Sequence, residues 1–307
     1  METIIVNDEN TYDVLIIGAG PAGLTSALYT SRAGYKTGFI ERSSPGGKIV
    51  NLKNITNFPG SDNINGQTLA NNLFEQAKSF GAKYLYGDVS IITKKLGYYS
   101  VTTKENELWL AKVIIVATGT ENVKLKCPGS DEYNNMGISY CVLCDGYLAK
   151  DKKVVVIGNN KEAISSSMYL STIAKQTTLL YLDKIPQETK LNNIKLYENV
   201  RIESVIGSSF QLNAVNIFSN DGVLKIDCDF IFVNLGTQPA VSFLSEFKEV
   251  IGNSGTIDTD EKKQTKIPGI YAIGDVSKTD NRQIITACND GAIAGINAVE
   301  YLNSLDK

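Results

Sequence analysis

Two cysteines separated by two residues, Cys141-Val142-Leu143-Cys144, carry the sharpest chemistry in the sequence. That spacing lets a disulfide close and open with little backbone movement, which suits thiol–disulfide exchange. Asp145 follows at once, placed to exchange a proton with a thiolate. Few other groups could do this work, because the chain contains no histidine. The same absence excludes Ser-His and Cys-His nucleophile pairs and His-ligated zinc. A cysteine zinc site would need about four ligands. Cys127, Cys228 and Cys288 are scattered and no second Cys-x-x-Cys exists, so no metal is expected. Those three read as small packed hydrophobes, and two reduced, packed thiols are the competing account of the pair itself.

The second constellation is Gly18-Ala19-Gly20-Pro21-Ala22-Gly23. An apolar run, YDVLII, precedes it and a helical run, LTSALYTSRA, follows. In that context the first glycine permits a tight turn, the second admits a pyrophosphate, and the third lets helix and strand pack closely. The phosphates would lie at the helix N-terminus, where backbone N–H groups and the macrodipole favour anions. Glu41 lies 23 residues after Gly18, at the end of the next strand, KTGFIE, placed to accept from a ribose hydroxyl. A packed turn with a surface glutamate is the alternative. A dinucleotide site and a dithiol in one chain suggest electron flow between flavin and disulfide.

The elements that must position these groups are legible from apolar patterning. Strand, glycine loop, helix and strand over Tyr12–Glu41 form a βαβ opening, which predicts a parallel sheet. A further strand, KVIIVATGT, ends at Ala117-Thr118-Gly119. A second βαβ opening starts about 140 residues after the first: Lys152–Gly158, the helix KEAISSSMYLSTIA, and the strand TTLLYLD. Strands are also expected at Phe230–Thr237 and Gly269–Asp275, and a last helix at Ile284–Ser304. Trp109 falls in a strand and reads as packing. The fold class is therefore α/β, with two nested Rossmann-like domains, the second inserted into the first.

Composition narrows the setting. The 307 residues suffice for two domains, and the net charge of −3 gives no reason to expect nucleic acid. Only four arginines occur, Arg32, Arg42, Arg201 and Arg282, so arginine clamps on phosphate are few. No run reaches the roughly 18 apolar residues of a membrane helix. METIIVNDEN lacks a basic n-region and a long apolar core, and the odd, sparse cysteine set is no secreted scaffold. The expected setting is the cytosol, without membrane attachment.

Taken in order, these motifs resemble the low-molecular-weight thioredoxin reductases. The matching stretches are GAGPAG with Glu41, Pro45-Gly46-Gly47, Asn57-Phe58-Pro59-Gly60, Ala117-Thr118-Gly119, Cys141-x-x-Cys144-Asp145-Gly146, Gly274-Asp275 and Arg282-Gln283. The resemblance implies a discontinuous FAD domain of residues 1–112 and 241–307, with the Cys-x-x-Cys domain, 113–240, inserted between them. It implies a homodimer in which a flavin reduces the disulfide and the dithiol reduces thioredoxin. By position, Cys144 would face the isoalloxazine, Cys141 would attack thioredoxin, and Asp145 would be the acid/base. The FAD contacts implied are Gly18, Gly20, Pro21, Ala22, Gly23, Glu41, Gly46, Gly47, Asn57, Ala117, Thr118, Gly119, Gly274, Asp275, Arg282 and Gln283.

The chain departs from that family at its second glycine loop. Where a Gly-x-Gly-x-x-Ala turn for NADPH is expected, it reads Gly158-Asn159-Asn160-Lys161-Glu162-Ala163. A side chain at Asn160 obstructs a pyrophosphate, and Glu162 puts negative charge at an anion site. The basic run that holds a 2′-phosphate is replaced by Tyr181-Leu182-Asp183-Lys184. The pattern resembles a ferredoxin-dependent flavin thioredoxin reductase subgroup, since a flavin can take electrons singly and pass them on in pairs. Two other readings stand beside it. One is a divergent NAD(P)H enzyme, with Asp183, 25 residues after Gly158, on an NADH ribose. The other is a flavin-dependent redox sensor or oxidase serving a different dithiol partner.

Overall fold

The computed structural model describes residues 9–95, 97–208, 211–219, 222–279 and 281–305. Most of the stretch read for a leader signal, residues 1–8, lies outside them. The chain forms two compact units, Met1–Thr120 with Pro239–Lys307, and Glu121–Gln238.

The first unit opens with β1 (Thr11–Ile17), α1 (Pro21–Arg32) and β2 (Thr37–Glu41). There follow α2 (Gly66–Ser79), β3 (Lys83–Tyr86), β4 (Val89–Lys95), β5 (Tyr98–Thr103) and β6 (Leu108–Val116), and a short β7 (Thr120–Asn122) carries the chain across the boundary into the second unit. The expected boundary at 112/113 falls inside β6 and is corrected to 120/121. The reason is pairing. Residues 113–116 of β6 bond to β1 in the register Val113↔Val14 through Val116↔Ile17, so the chain cannot leave the sheet there.

In the second unit come β8 (Ile138–Ser139), α3 (Val142–Asp145), β9 (Lys153–Gly158), α4 (Lys161–Leu170), β10 (Gln176–Tyr181) and β11 (Ile194–Glu198). Then follow β12 (Arg201–Ser208), β13 (Gln211–Ser219), β14 (Gly222–Asp227), β15 (Phe230–Asn234) and β16 (Thr237–Pro239). The chain returns to the first unit for β17 (Ile270–Ala272), a 3₁₀ turn at Gly274–Val276, and α5 (Ile284–Leu305).

The sheet of the first unit runs β3-β2-β1-β6-β5-β4, and β17 joins β6 alongside. The β1, β2, β3, β6 and β17 pairings are parallel, whereas β4, β5 and β6 pair antiparallel. Alternation along β6 sorts the core. Val113 and Ile115 face Leu24 and Ala27 of α1 and Ala294 and Ala298 of α5. Ile114 and Val116 face Phe243, Leu244, Phe247 and Val250. Both faces are covered, which is why β1 runs apolar from Val14 to Ile17. Each fully buried Ile or Leu there contributes about 1.5–3 kcal/mol.

The second unit has a parallel sheet, β11-β10-β9-β15-β8, and an antiparallel meander, β12-β13-β14. The meander packs Val205, Leu212, Val215 and Ile217 on Val155, Ile157, Leu180 and Ile231 of the sheet. The other face packs Val154, Val156, Leu179 and Phe232 with Ala163 and Leu170 of α4. Parallel strands flanked by helices in both units make the expected α/β class the observed one. Among the described residues no helix is long and apolar enough to cross a membrane.

Candidate active site

The glycine loop of the first unit divides its labour among three residues. Gly18 has φ +103°, and a Cβ there would lie 2.5 Å from the Ala117 carbonyl oxygen. A Cβ on Gly23 would lie 2.0 Å from the Gly18 oxygen. Packing within the protein thus accounts for both. It does not account for Gly20, where a Cβ would meet nothing within 4 Å. Gly20 borders a cavity of about 650 Å³ and is also the N-cap of α1. That helix begins with Pro21, has no side-chain cap, and carries no acidic residue in its first turn. A helix start without these groups, facing a cavity, suits a phosphate.

The cavity gathers residues from five stretches of the first unit. Gly18, Gly20, Pro21, Ala22, Glu41, Gly47, Ala117, Thr118, Gly119, Gly274, Asp275, Arg282 and Gln283 all line it. Gly23, Gly46 and Asn57 do not. Gly23 packs under the loop, the Gly46 N–H donates to the Ala19 oxygen at 2.7 Å, and Asn57 Nδ2 donates to Gln283 Oε1 at 3.0 Å. Glu41 is tied to the loop it faces: Oε2 accepts from the Ala19 N–H at 3.0 Å and Oε1 from the Ser43 N–H at 2.9 Å.

Several lining residues were missed in the sequence, among them Arg42, Ser43, Lys48 and Thr120. Lys48 Nζ donates to Thr120 Oγ1 and stands 4.0 Å from Asp275 Oδ2. The pattern Gly46-Gly47-Lys48 offered a signal, because a residue that follows two glycines beside the cavity shares their loop. The residues present fit a dinucleotide: an uncapped helix start, a carboxylate at a strand end, and cations at Lys48 and Arg282, all on one cavity.

In the second unit Cys141 and Cys144 form a disulfide with Cα atoms 5.3 Å apart, within the range that a bridge requires. Cys141 caps the single helical turn α3, its Sγ accepting from the Cys144 N–H at 3.1 Å. Cys144 is exposed, whereas Cys141 and Asp145 are half-buried. Ser139, which sequence reasoning missed, organises the turn. Its hydroxyl donates to Asp145 Oδ2 at 2.6 Å and accepts from the Cys141 N–H at 3.1 Å. The six-residue gap to Asp145 left no pattern to find it by. Leu143, Tyr147 and Leu148 stand exposed beside the disulfide, Leu143 at 81%.

The other three thiols lie apart from this chemistry. Burial pushes the Cys228 thiol up to about 12, with Asp229 and Asp227 adding to it. Burial also raises Cys127 and Cys288. Among the described residues no group of three or more potential ligands could hold a metal.

The second glycine loop differs from the first at its middle position. A Cβ on Gly158 would lie 2.5 Å from both the Ala163 Cβ and the Asn234 oxygen. Gly158 and Ala163 are therefore explained by strand–helix packing alone. Asn160, at the place of Gly20, is the N-cap of α4. Its Oδ1 accepts from the Ala163 N–H at 3.0 Å, and its Nδ2 donates to the Asn234 oxygen at 2.9 Å.

Comparison with known proteins agrees with this assembly of parts. The family model for pyridine nucleotide-disulphide oxidoreductases matches residues 12–291. A thioredoxin reductase of Listeria innocua is 37% identical, over 98% of this chain and 97% of that one. The chain belongs to the thioredoxin reductase family. Among solved structures, Lactococcus lactis thioredoxin reductase superposes with a TM-score of 0.78 at 33% identity, over 95% of this chain and 99% of that one. A ferredoxin-flavin thioredoxin reductase of Clostridium acetobutylicum gives a TM-score of 0.55 at 26% identity, over 96% and 99%. As a thioredoxin reductase family member, the chain is a flavoprotein oxidoreductase with a redox-active disulfide.

Proposed function

We propose that this chain reduces thioredoxin through FAD held in the first unit's cavity and the Cys141–Cys144 couple, with reduced ferredoxin as the electron donor. The Gly18–Gly23 loop would hold the pyrophosphate and Glu41 a ribose hydroxyl. Gly46, Gly47, Asn57, Ala117–Gly119, Gly274, Asp275, Arg282 and Gln283 would surround the rest. FAD, when bound, would supply the conversion between single electrons and the pair that a disulfide needs.

The chain's own sulfurs do the exchange. Opening the Cys141–Cys144 bond consumes two electrons and two protons. The Cys141 thiolate then attacks a thioredoxin sulfur, and the thioredoxin S–S bond breaks as a mixed disulfide forms. The Cys144 thiolate attacks Cys141 Sγ, re-forming the internal disulfide and releasing reduced thioredoxin. Asp145, held by the Ser139 hydroxyl at 2.6 Å, would give and take the protons in a chain without histidine.

The observation that carries the donor assignment is the Asn160 cap. A pyrophosphate at α4 would need the helix-terminal N–H groups, and Ala163 already donates to the chain's own Asn160. Glu162 in the first turn adds unfavourable charge. Asp183 stands just after β10, where a 2′-phosphate would need cations. The Gly158–Ala163 remnant does not argue for a nucleotide, because packing alone explains it. We propose further that the protein works in the cytosol as a homodimer.

The test is an anaerobic titration of the purified flavoprotein with NADPH, NADH and reduced ferredoxin in turn, followed at the visible flavin band. Ferredoxin should bleach it, and neither nucleotide should do so at a catalytic rate. Rapid bleaching by NADH would favour the divergent-nucleotide reading through Asp183. Flavin reduction without thioredoxin turnover from any donor would favour a sensor or oxidase.

A further inference from the structure

We infer that the buried Asp290 and the half-buried Lys263 are a positioning couple that holds the Gly274–Asp275 turn against the cofactor cavity. The inference rests on the FAD reading and adds to it two residues outside the cavity wall. Asp290 lies in α5 and is 6% exposed. Its Oδ2 accepts from the Gly274 N–H at 3.2 Å, and its Oδ1 meets Lys263 Nζ at 2.7 Å. One carboxylate thus joins two segments distant in sequence.

Each partner is constrained elsewhere as well. Lys263 has φ +63°, a left-handed conformation that a non-glycine residue adopts only where its surroundings hold it. Its carbonyl accepts from the Ala272 N–H at 3.0 Å, at the end of β17. The ammonium therefore anchors β17 to α5 two residues before Gly274. Gly274 has φ +67°, and its carbonyl accepts from the Ser277 N–H at 3.0 Å and hydroxyl at 2.8 Å. Its N–H and carbonyl are thereby both fixed, and with them the direction in which Asp275 leaves the turn. Next to Asp290, a Cβ on Gly291 would lie 2.3 Å from the Ala22 oxygen, in the first turn of α1. Adjacent residues of α5 thus set both the turn that carries Asp275 and the helix start at the glycine loop.

The charge matters as well as the acceptor. An asparagine could still accept from Gly274, but Lys263 would lose its anion. Removing Lys263 leaves the buried Asp290 carboxylate uncompensated. A couple that served stability alone would lower the melting point and leave cofactor retention independent of Asp275. A positioning couple acts through Asp275.

The experiment follows FAD release from the full-length holoprotein, as the rise in flavin fluorescence on dilution, for wild type, Asp290→Asn, Asp275→Asn and the double variant. Positioning predicts about tenfold faster release for Asp290→Asn and under about threefold further acceleration when Asp275 is already changed. Lys263→Met should match Asp290→Asn, and Lys263→Arg should restore slow release. Should Asp290→Asn not fold, Lys263→Met carries the same test with the Gly274 acceptor intact. Wild-type release rates in Asp290→Asn and Lys263→Met, or equal acceleration with and without Asp275, overturn the proposal alone. A wild-type chain that binds no FAD overturns the cofactor reading and this proposal with it.

Discussion

Gly20→Asn separates a structural glycine from a ligand-binding one. The N-cap backbone of α1 lies at φ −75°, ψ −178°, an extended conformation open to any residue. A Cβ meets no protein atom within 4 Å, so the substitution costs the flavin-free chain nothing in packing. Asparagine caps slightly better than glycine, by a few tenths of a kcal/mol. The flavin-free protein should therefore melt at or slightly above its wild-type temperature. The holoprotein should behave oppositely. The introduced side chain, in the geometry of Asn160 with its oxygen on the third amide beyond, would occupy the place of a phosphate oxygen. One charge-assisted hydrogen bond contributes about 1.5–3 kcal/mol, so FAD affinity should fall about 10- to 100-fold. Flavin fluorescence quenching gives the affinity, and calorimetry gives the melting temperature. A variant that binds FAD as tightly as wild type would refute the assignment of this helix start to the pyrophosphate. A variant that melts well below wild type would refute the packing argument.

Cys141→Ser should abolish thioredoxin turnover while the flavin stays reducible, as read by stopped-flow bleaching beside an insulin-precipitation assay. Asp145→Asn should slow thioredoxin turnover about 10²-fold, and Ser139→Ala, which removes the hydroxyl that donates to Asp145 Oδ2, should slow it by less, both read as steady-state insulin-precipitation rates. Cys228 should resist thiol reagents at mildly alkaline pH until the chain unfolds, since burial holds its thiol up to about 12. Its neutral form is favoured in the fold, so stability should fall from about pH 9, where the unfolded thiol ionises, upward through the folded value. Tyr99, raised to about 12 by burial, acts in the same direction from about pH 10 upward, and alkaline melting curves read both. Trp109, the one tryptophan, packs on the first unit's core, so its fluorescence should follow the melting of that unit.

The parts of the fold that could be read from the sequence are those whose residues see protein on both sides. β9, β15 and the ends of β1 and β6 after Asp13 and Lys112 are apolar runs because each is covered on two faces, and the two glycine loops mark where such runs turn into helices. The meander β12–β14 was not legible. β14 alternates half-buried and exposed, and β12 keeps only Val205 fully buried, so neither shows a strong apolar signal. The helix expected over Lys161–Ala174 stops at Leu170. There the Ser171 and Thr172 hydroxyls turn back onto the Met168 and Tyr169 carbonyls at 2.8 and 2.7 Å. The expected strand over Phe230–Thr237 divides because Gly236, at φ +84°, turns the chain between β15 and β16. At the site, cysteine spacing and glycine spacing are local and were legible. Lys48 meets Thr120 and Asp290 meets Lys263 across folds of the chain, so spacing names neither partner, and Ser139, though only six residues from Asp145, belongs to no recurrent motif.

The two βαβ openings show how little separates a binding loop from a structural one. Gly18 and Gly158 meet the same kind of obstruction, a carbonyl oxygen 2.5 Å from where a Cβ would stand. A Cβ on Gly23 would lie 2.0 Å from the Gly18 oxygen, and the Ala163 Cβ lies where a Cβ on Gly158 would come within 2.5 Å of it. Packing therefore demands small residues at these positions whether or not a nucleotide binds, and they carry no information about the donor. The information lies at the middle position. In α1 nothing caps the helix and the glycine faces a cavity; in α4 the asparagine satisfies the helix start and bonds the Asn234 carbonyl. An anion arriving at α4 would have to displace two hydrogen bonds already made inside the protein and approach Glu162. Under the proposed function, a donor that delivers electrons directly to the flavin asks nothing of that helix, which is why the Asn160 cap weighs toward one.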